Sequence, residues 1–197
     1  MKKIFFLVFL YSAGAWCNPF FLNNFPPITQ STHYSCGAAA LLSVFHYYGI
    51  DSYNESELMQ ELGTNPKEGT DIGPMVSVAI KYGLHADKKT KTTLKDLEQS
   101  LKNSQPVILA IQAWPDKPKN PSEYVTEWNE GHFVVLIGMD STKLYFMDPS
   151  LVGSRGVIPK SQLKYRWHDI DEQQKLEEPA LFFEGAPKPP PNWAIIP

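Results

Sequence analysis

The chain reads as an α+β domain in which N-terminal helices pack on an antiparallel β-sheet. Three observations predict this. Residues 37–48 form a nearly continuous apolar run closed by Gly49. Three shorter segments with helical apolar spacing follow it. After residue 105 the pattern changes to short apolar runs separated by turn residues. Helices first and strands later is the order of an α+β fold rather than of alternating βαβ units. No internal repeat is visible, and 197 residues suit one domain with flanking segments.

Each element follows from its own pattern. Residues 37–48 include Ala38, Ala39, Ala40, Leu41, Leu42, Val44, Phe45, Tyr47 and Tyr48. A helix apolar on every face belongs in a core, and Gly49 is a natural stop. Residues 55–62 predict a short amphipathic helix, and residues 72–82 another, stopped by Gly83. Leu94, Leu97 and Leu101 place a surface helix over 93–103. Residues 106–114 (Val107, Ile108, Leu109, Ala110, Ile111) read as a buried strand. Residues 132–139 and 143–147 read as a hairpin turning at Asp140-Ser-Thr. Residues 156–158 and 180–183 are expected as edge strands. Between the first strand and the hairpin, residues 115–130 form a polar loop with Tyr124 and Trp128, just after Trp114. Loops of that length usually serve function.

The flanks carry other information. Lys2 and Lys3 precede the apolar residues 4–11, and Ser12-Ala13-Gly14-Ala15 ends in small residues. That is the layout of a signal peptide over 1–15, which places the protein outside the cytoplasm, periplasmic or secreted. Eight apolar residues are too few to span about 30 Å of hydrocarbon, so no transmembrane span is expected in the mature chain. Cys17 raises the alternative of a lipid anchor, although Trp16 is large for the position before a lipidated cysteine. Residues 16–26, with Pro19 and Pro26, form an extended lead-in to a domain over 27–184, and 185–197 is a proline-rich tail.

Composition narrows the function. Hydrophobic residues make up 43% of the chain and aromatic residues 13%, which describes a globular protein. The net charge of −3 leaves no cationic surplus for phosphates, so nucleic acid is not an expected partner. Lys88, Lys89, Lys91 and Lys95 read as a solvated edge.

Cys36 carries the chemistry. It opens the apolar helix, where the positive end of the helix dipole favours thiolate over thiol. His132 begins a strand directly after Gly131, so its ring can act as a base at a sheet edge. Asp148 ends the next strand of the same hairpin, within reach of that imidazole. Gln30, six positions before Cys36, can offer an amide N–H to an oxyanion together with the backbone N–H of Cys36. Two cysteines also admit a structural Cys17–Cys36 disulfide, which would consume the nucleophile. His33 and Cys36 have one metal-like spacing, yet no second pair completes a zinc set.

Taken together, Gln30-x5-Cys36-Gly37-x-Ala39-Ala40, then Gly131-His132-Phe-Val-Val-Leu-x-Gly138, then Asp148-Pro149, resemble a known family. These are the papain-like bacteriocin-processing (double-glycine) cysteine peptidases, peptidase family C thirty-nine and its stand-alone relatives. The resemblance covers about residues 27–165. It implies a papain-like fold, a peptide or protein substrate and no cofactor. It also implies that Cys36 is the nucleophile, His132 the base, Asp148 its orienter and Gln30 an oxyanion donor. Ser35 stands where many members carry Asp. Many members are fused to transporter domains, which these residues do not carry, so a cleft for small residues is implied rather than a fixed leader. The alternatives are a silent peptide-binding module of the same fold and a papain-like acyl transferase.

Overall fold

The structure, a computed structural model, describes residues 19–153 and 155–187. The segment expected as a signal peptide, Cys17 and most of the proline-rich tail lie outside the described residues. The chain runs through β1 (Phe20–Phe21), α1 (Cys36–Tyr47), α2 (Glu55–Leu62), α3 (Ile72–Lys81), β2 (His85–Lys89) and α4 (Leu94–Lys102). It continues with β3 (Val107–Gln112), a 3-10 turn (Pro121–Thr126), β4 (Gly131–Met139), β5 (Lys143–Met147) and β6 (Arg155–Pro159). Last come α5 (Lys160–Arg166), β7 (His168–Asp171), β8 (Gln174–Glu177) and β9 (Ala180–Glu184).

Six strands lie in the order β2-β9-β3-β4-β5-β6, and β1 joins them by pairing with β4. Every pairing is antiparallel. β7 and β8 form a separate two-stranded sheet. The α+β arrangement, with helices on an antiparallel sheet, is the one the order of the sequence predicts.

One strand expectation changes, and an edge strand of the main sheet is new. Residues 180–183 are not at an edge: β9 lies between β2 and β3, with Ala180, Leu181 and Phe183 buried. An interior strand needs apolar side chains on both faces, which β9 supplies. The edge itself is β2, whose His-Ala-Asp-Lys-Lys sequence buries only Ala86. Its hydrogen bonds to β9, rather than its own pattern, make it a strand. β6 is the opposite edge, as its short sequence predicts.

The helices begin in two different ways. Asn54 with Glu57 and Thr93 with Asp96 form complete capping boxes on α2 and α4. Each box satisfies two N–H groups that would otherwise lack partners. α1 has neither a capping side chain nor an acidic residue in its first turn. The Ser35 hydroxyl is used in the approach loop instead, donating to Thr32 O and accepting from Thr32 N, both at 3.1 Å.

The same end of α1 is pressed onto the sheet. A Cβ at Gly37 would stand 2.7 Å from Thr70 Cβ and 3.1 Å from Phe133 Cδ2. No side chain fits there, so glycine is what lets Cys36 approach β4.

Candidate active site

Sheet register brings the first two site residues together. Ile111 of β3 faces His132, and Val135 of β4 faces Met147 of β5. One further step sets Asp148 opposite Val134, on the face that His132 shares, because side chains alternate along a strand. His132 Nε2 lies 2.8 Å from Asp148 Oδ1. Both side chains are buried.

Two more donors fix the carboxylate. The Ser150 N–H donates to Asp148 Oδ1 at 2.9 Å, and the Trp114 indole N–H donates to Oδ2 at 3.1 Å. Trp114 reaches it from a backbone with φ of 58°, a left-handed conformation costly for a bulky residue. The sequence pattern ends a strand at Trp114, whereas β3 ends at Gln112, and only the fold aims the indole.

Cys36 is a free, half-buried thiol at the first position of α1. Burial disfavours a charged imidazole at His132. Hydrogen bonds to Asp148 and to Cys36, with the charges on both, outweigh it and raise the His132 pKa from 6.5 to about 9. The Asp148 carboxylate thus favours the protonated ring and holds its Nε2. With Nε2 so held, Nδ1 is the nitrogen left for the sulfur.

Gln30 sits beside this group with its amide already engaged. Its Nε2 donates to Thr32 O at 2.7 Å and its Oε1 accepts from the Ser150 hydroxyl at 3.0 Å. The Gln30 backbone N–H donates to Pro149 O at 3.0 Å. Gln30 thus ties the approach to α1 to the loop that carries Asp148. One Nε2 hydrogen remains beyond the bond to Thr32.

A second buried carboxylate lies behind His132, and no motif announced it. Asp169 Oδ1 accepts from Gln112 Nε2 at 3.1 Å and from the Ile170 N–H at 2.8 Å. Gln112 also accepts the Glu130 N–H at 2.9 Å and donates to His168 O at 3.1 Å, which ties the residue before Gly131 to β7. A Cβ at Gly131 would lie 2.6 Å from Asp169 Oδ1, so glycine is required directly before His132. Burial, aided by Asp171, pushes the Asp169 carboxyl up to about 7, against its hydrogen bonds and the His132 charge.

A cavity of about 670 Å³ opens on the other side of Asp148. Its floor is the sheet face of Ile111, Val134 and Phe146, and its wall is the loop from Trp114 to Lys119 together with Tyr124. The loop is less open than its polar sequence suggests, because Tyr124 is buried. Among the described residues no group of three or more His, Cys, Asp and Glu side chains is arranged to hold a metal ion. Among them, too, no helix is long and apolar enough to cross a membrane.

Residues 22–175 match the model of the Peptidase_C39 like family. The chain belongs to that family. A C39-like peptidase of Bacillus anthracis has a similar structure, with a TM-score of 0.65 and 22% identity over 86% of this chain and 99% of that one. The peptidase domain of Streptococcus ComA, a bi-functional ABC transporter of a quorum-sensing pathway, gives 0.59 and 22% over 82% and 99%. A double-glycine-motif protease from an AMS/PCAT transporter, solved with its leader peptide, gives 0.54 and 23% over 82% and 91%. At these identities the likeness is one of fold, and it is the papain-like fold that the motifs implied. An uncharacterized protein of Methanothermobacter thermautotrophicus is 29% identical over 63% of this chain and 71% of its own length. The Trp114–Asp148 bond and the Gln112–Asp169 pair are read from this chain alone.

Proposed function

We propose that this chain is an exported cysteine peptidase in which Cys36 is the nucleophile, His132 the acid–base group and Asp148 its orienter. One observation carries the reading: a free thiol opens a helix without a side-chain cap, beside a buried imidazole whose far nitrogen is held by a buried carboxylate. An inert buried cysteine would not need a carboxylate-held histidine beside it.

The chemistry follows from that geometry. The Cys36 thiolate attacks a peptide carbonyl carbon, forming the C–S bond and an oxyanion. The Cys36 backbone N–H, at a helix start without a capping side chain, and the remaining Nε2 hydrogen of Gln30 stabilise that oxyanion. His132 passes its Nδ1 proton to the leaving amine as the C–N bond breaks. Water then attacks the thioester and gives a proton to His132, and the C–S bond breaks to release the carboxylate product and the thiolate. Asp148 keeps the ring in the orientation that sends Nδ1 to the sulfur.

The substrate in this reading is a peptide or protein, consistent with the leader-peptide complex of the AMS/PCAT protease. Export rests on Lys2, Lys3, the apolar residues 4–11 and the small residues before Trp16. The test has two parts. Native protein should be alkylated by an iodoacetamide probe at Cys36 far faster than after His132→Gln. New N-termini should appear in a periplasmic or secreted proteome treated with wild type and not with Cys36→Ala. An unlabelled native Cys36, or identical N-termini from both proteins, removes the peptidase reading.

A further inference from the structure

The chain contains 18 basic residues, of which only Arg155 and Arg166 are arginines. They come from different elements, β6 and the end of α5, and both line the cavity beside Asp148. Lysine would serve as well for surface solubility; arginine is distinguished by a planar fork of donors that matches a carboxylate in two-point fashion.

Neither guanidinium is neutralised by a carboxylate among the described residues. Arg155 spends one nitrogen on Phe25 O at 2.7 Å. Arg166 lies over the Tyr124 ring, 4.0 Å from its centre, a cation–π contact that holds the group in place without a carboxylate to neutralise it. Its Nε is buried with no acceptor, a donor the fold leaves unmatched.

Of the cavity's other charges, Asp148 and Lys119 are engaged. Asp148 accepts from His132, Ser150 and Trp114. Lys119 is paired with Glu127. Asp116 stands exposed on the rim. The floor beneath the two arginines is apolar, from Val134, Phe146 and Ile158. A cavity of about 670 Å³ is of a size that encloses one or two side chains.

We propose that this cavity is a binding subsite for a peptide carboxylate flanked by an apolar side chain, with Arg155 and Arg166 as the residues that read the carboxylate. The inference deepens the peptidase reading, because it names the chemistry of the peptide that the site holds. It makes the protein selective for acidic, amphipathic segments despite its own net negative charge. The carboxylate has two sources, an Asp or Glu side chain or the C-terminus of a peptide.

The test measures binding apart from cleavage. Four fluorescein-labelled decapeptides of Leu and Ala carry one central Glu or Gln, each as a free acid and as a C-terminal amide. Fluorescence anisotropy is read with the full chain bearing Cys36→Ala, so that no peptide is cut. The Glu amide is expected to bind about tenfold tighter than the Gln amide, the scale of a charge-assisted contact. That preference should collapse in Arg166→Gln and in Arg155→Gln, whose exposed side chain carries little folding risk. Arg166→Lys should keep only part of it, because charge remains without the fork. If the preference instead follows the free acid in the Gln pair, the subsite stands and its ligand is a chain terminus. Equal binding of all four peptides, or discrimination unchanged in both glutamine variants, overturns the proposal. Mass spectrometry of the same peptides with wild type separates the two readings. Discrimination in a protein whose Cys36 also fails the alkylation and N-terminus tests leaves the subsite and removes the peptidase; cleavage without discrimination does the reverse.

Discussion

His132 turns Nε2, the ring nitrogen farther from its backbone, to Asp148 Oδ1 at 2.8 Å, and so leaves Nδ1 as the nitrogen free for Cys36. The carboxylate therefore acts on orientation and on charge at once, and two substitutions separate the roles. Asp148→Asn keeps an acceptor for Nε2–H but removes the negative charge that helps raise the His132 pKa. Activity should fall by about tenfold, and the alkaline limb of kcat/KM should move to lower pH. Asp148→Ala removes both and should cost about a thousandfold. An unchanged alkaline limb in Asp148→Asn would contradict the assignment of the charge.

Trp114 is 53% exposed, so its indole contributes little to the core. Trp114→Phe keeps the wall of the cavity and removes only the N–H on Asp148 Oδ2. The melting temperature should stay within about 2 °C while kcat falls by about three- to tenfold. Trp114→Gly relieves the positive φ but loses both the bond and part of the cavity wall, so its rate should fall at least as far as that of Trp114→Phe, without a loss of stability. Full activity in both variants would make the indole a bystander.

Gly37→Ala should destabilise the fold by about 1–3 kcal/mol, because the added Cβ meets Thr70 and Phe133 at contacts that must open. The opening moves Cys36 away from β4. Iodoacetamide labelling of Cys36 should slow in the folded variant, measured below its melting temperature. Labelling at the wild-type rate would show that this contact does not set the position of the sulfur.

Stability should fall as pH rises, in two steps. A group with a raised pKa binds its proton more tightly when folded, so its contribution is complete below the unfolded pKa and is lost through the folded one. Asp169, raised from 3.8 to about 7, sets the first step, and His132, raised from 6.5 to about 9, sets the second. Asp169→Asn keeps an acceptor for Gln112 and the Ile170 N–H, and should flatten the decline between about pH 4 and 7. His132→Gln should flatten it between about pH 6.5 and 9. Melting curves recorded across that range decide it, and curves parallel to wild type would refute both assignments.

Much of this was legible in the chain because it depends on local order. Gly49 and Gly83 end helices whose apolar spacing is plain, and Asp140 turns the hairpin by accepting the Thr142 and Lys143 N–H groups. β2 and the β7–β8 hairpin were not legible. His-Ala-Asp-Lys-Lys has one buried residue, and its strand character comes from pairing with β9, nearly a hundred residues away. Gln30 was placed at the site, but its engaged amide and its ties to Pro149 and Ser150 were not visible from spacing.

Residue types and their order along the chain, by themselves, determined that a thiol opens a buried helix and that a histidine and an aspartate share a hairpin. Alternation and turn chemistry act over a few residues, so they are written in the sequence. Which nitrogen meets which oxygen, what Trp114 donates to, and why glycine precedes both His132 and Ala38 were decided only by tertiary packing. Those facts depend on strands and loops far apart in the chain meeting within a few ångströms, and no local pattern encodes that distance.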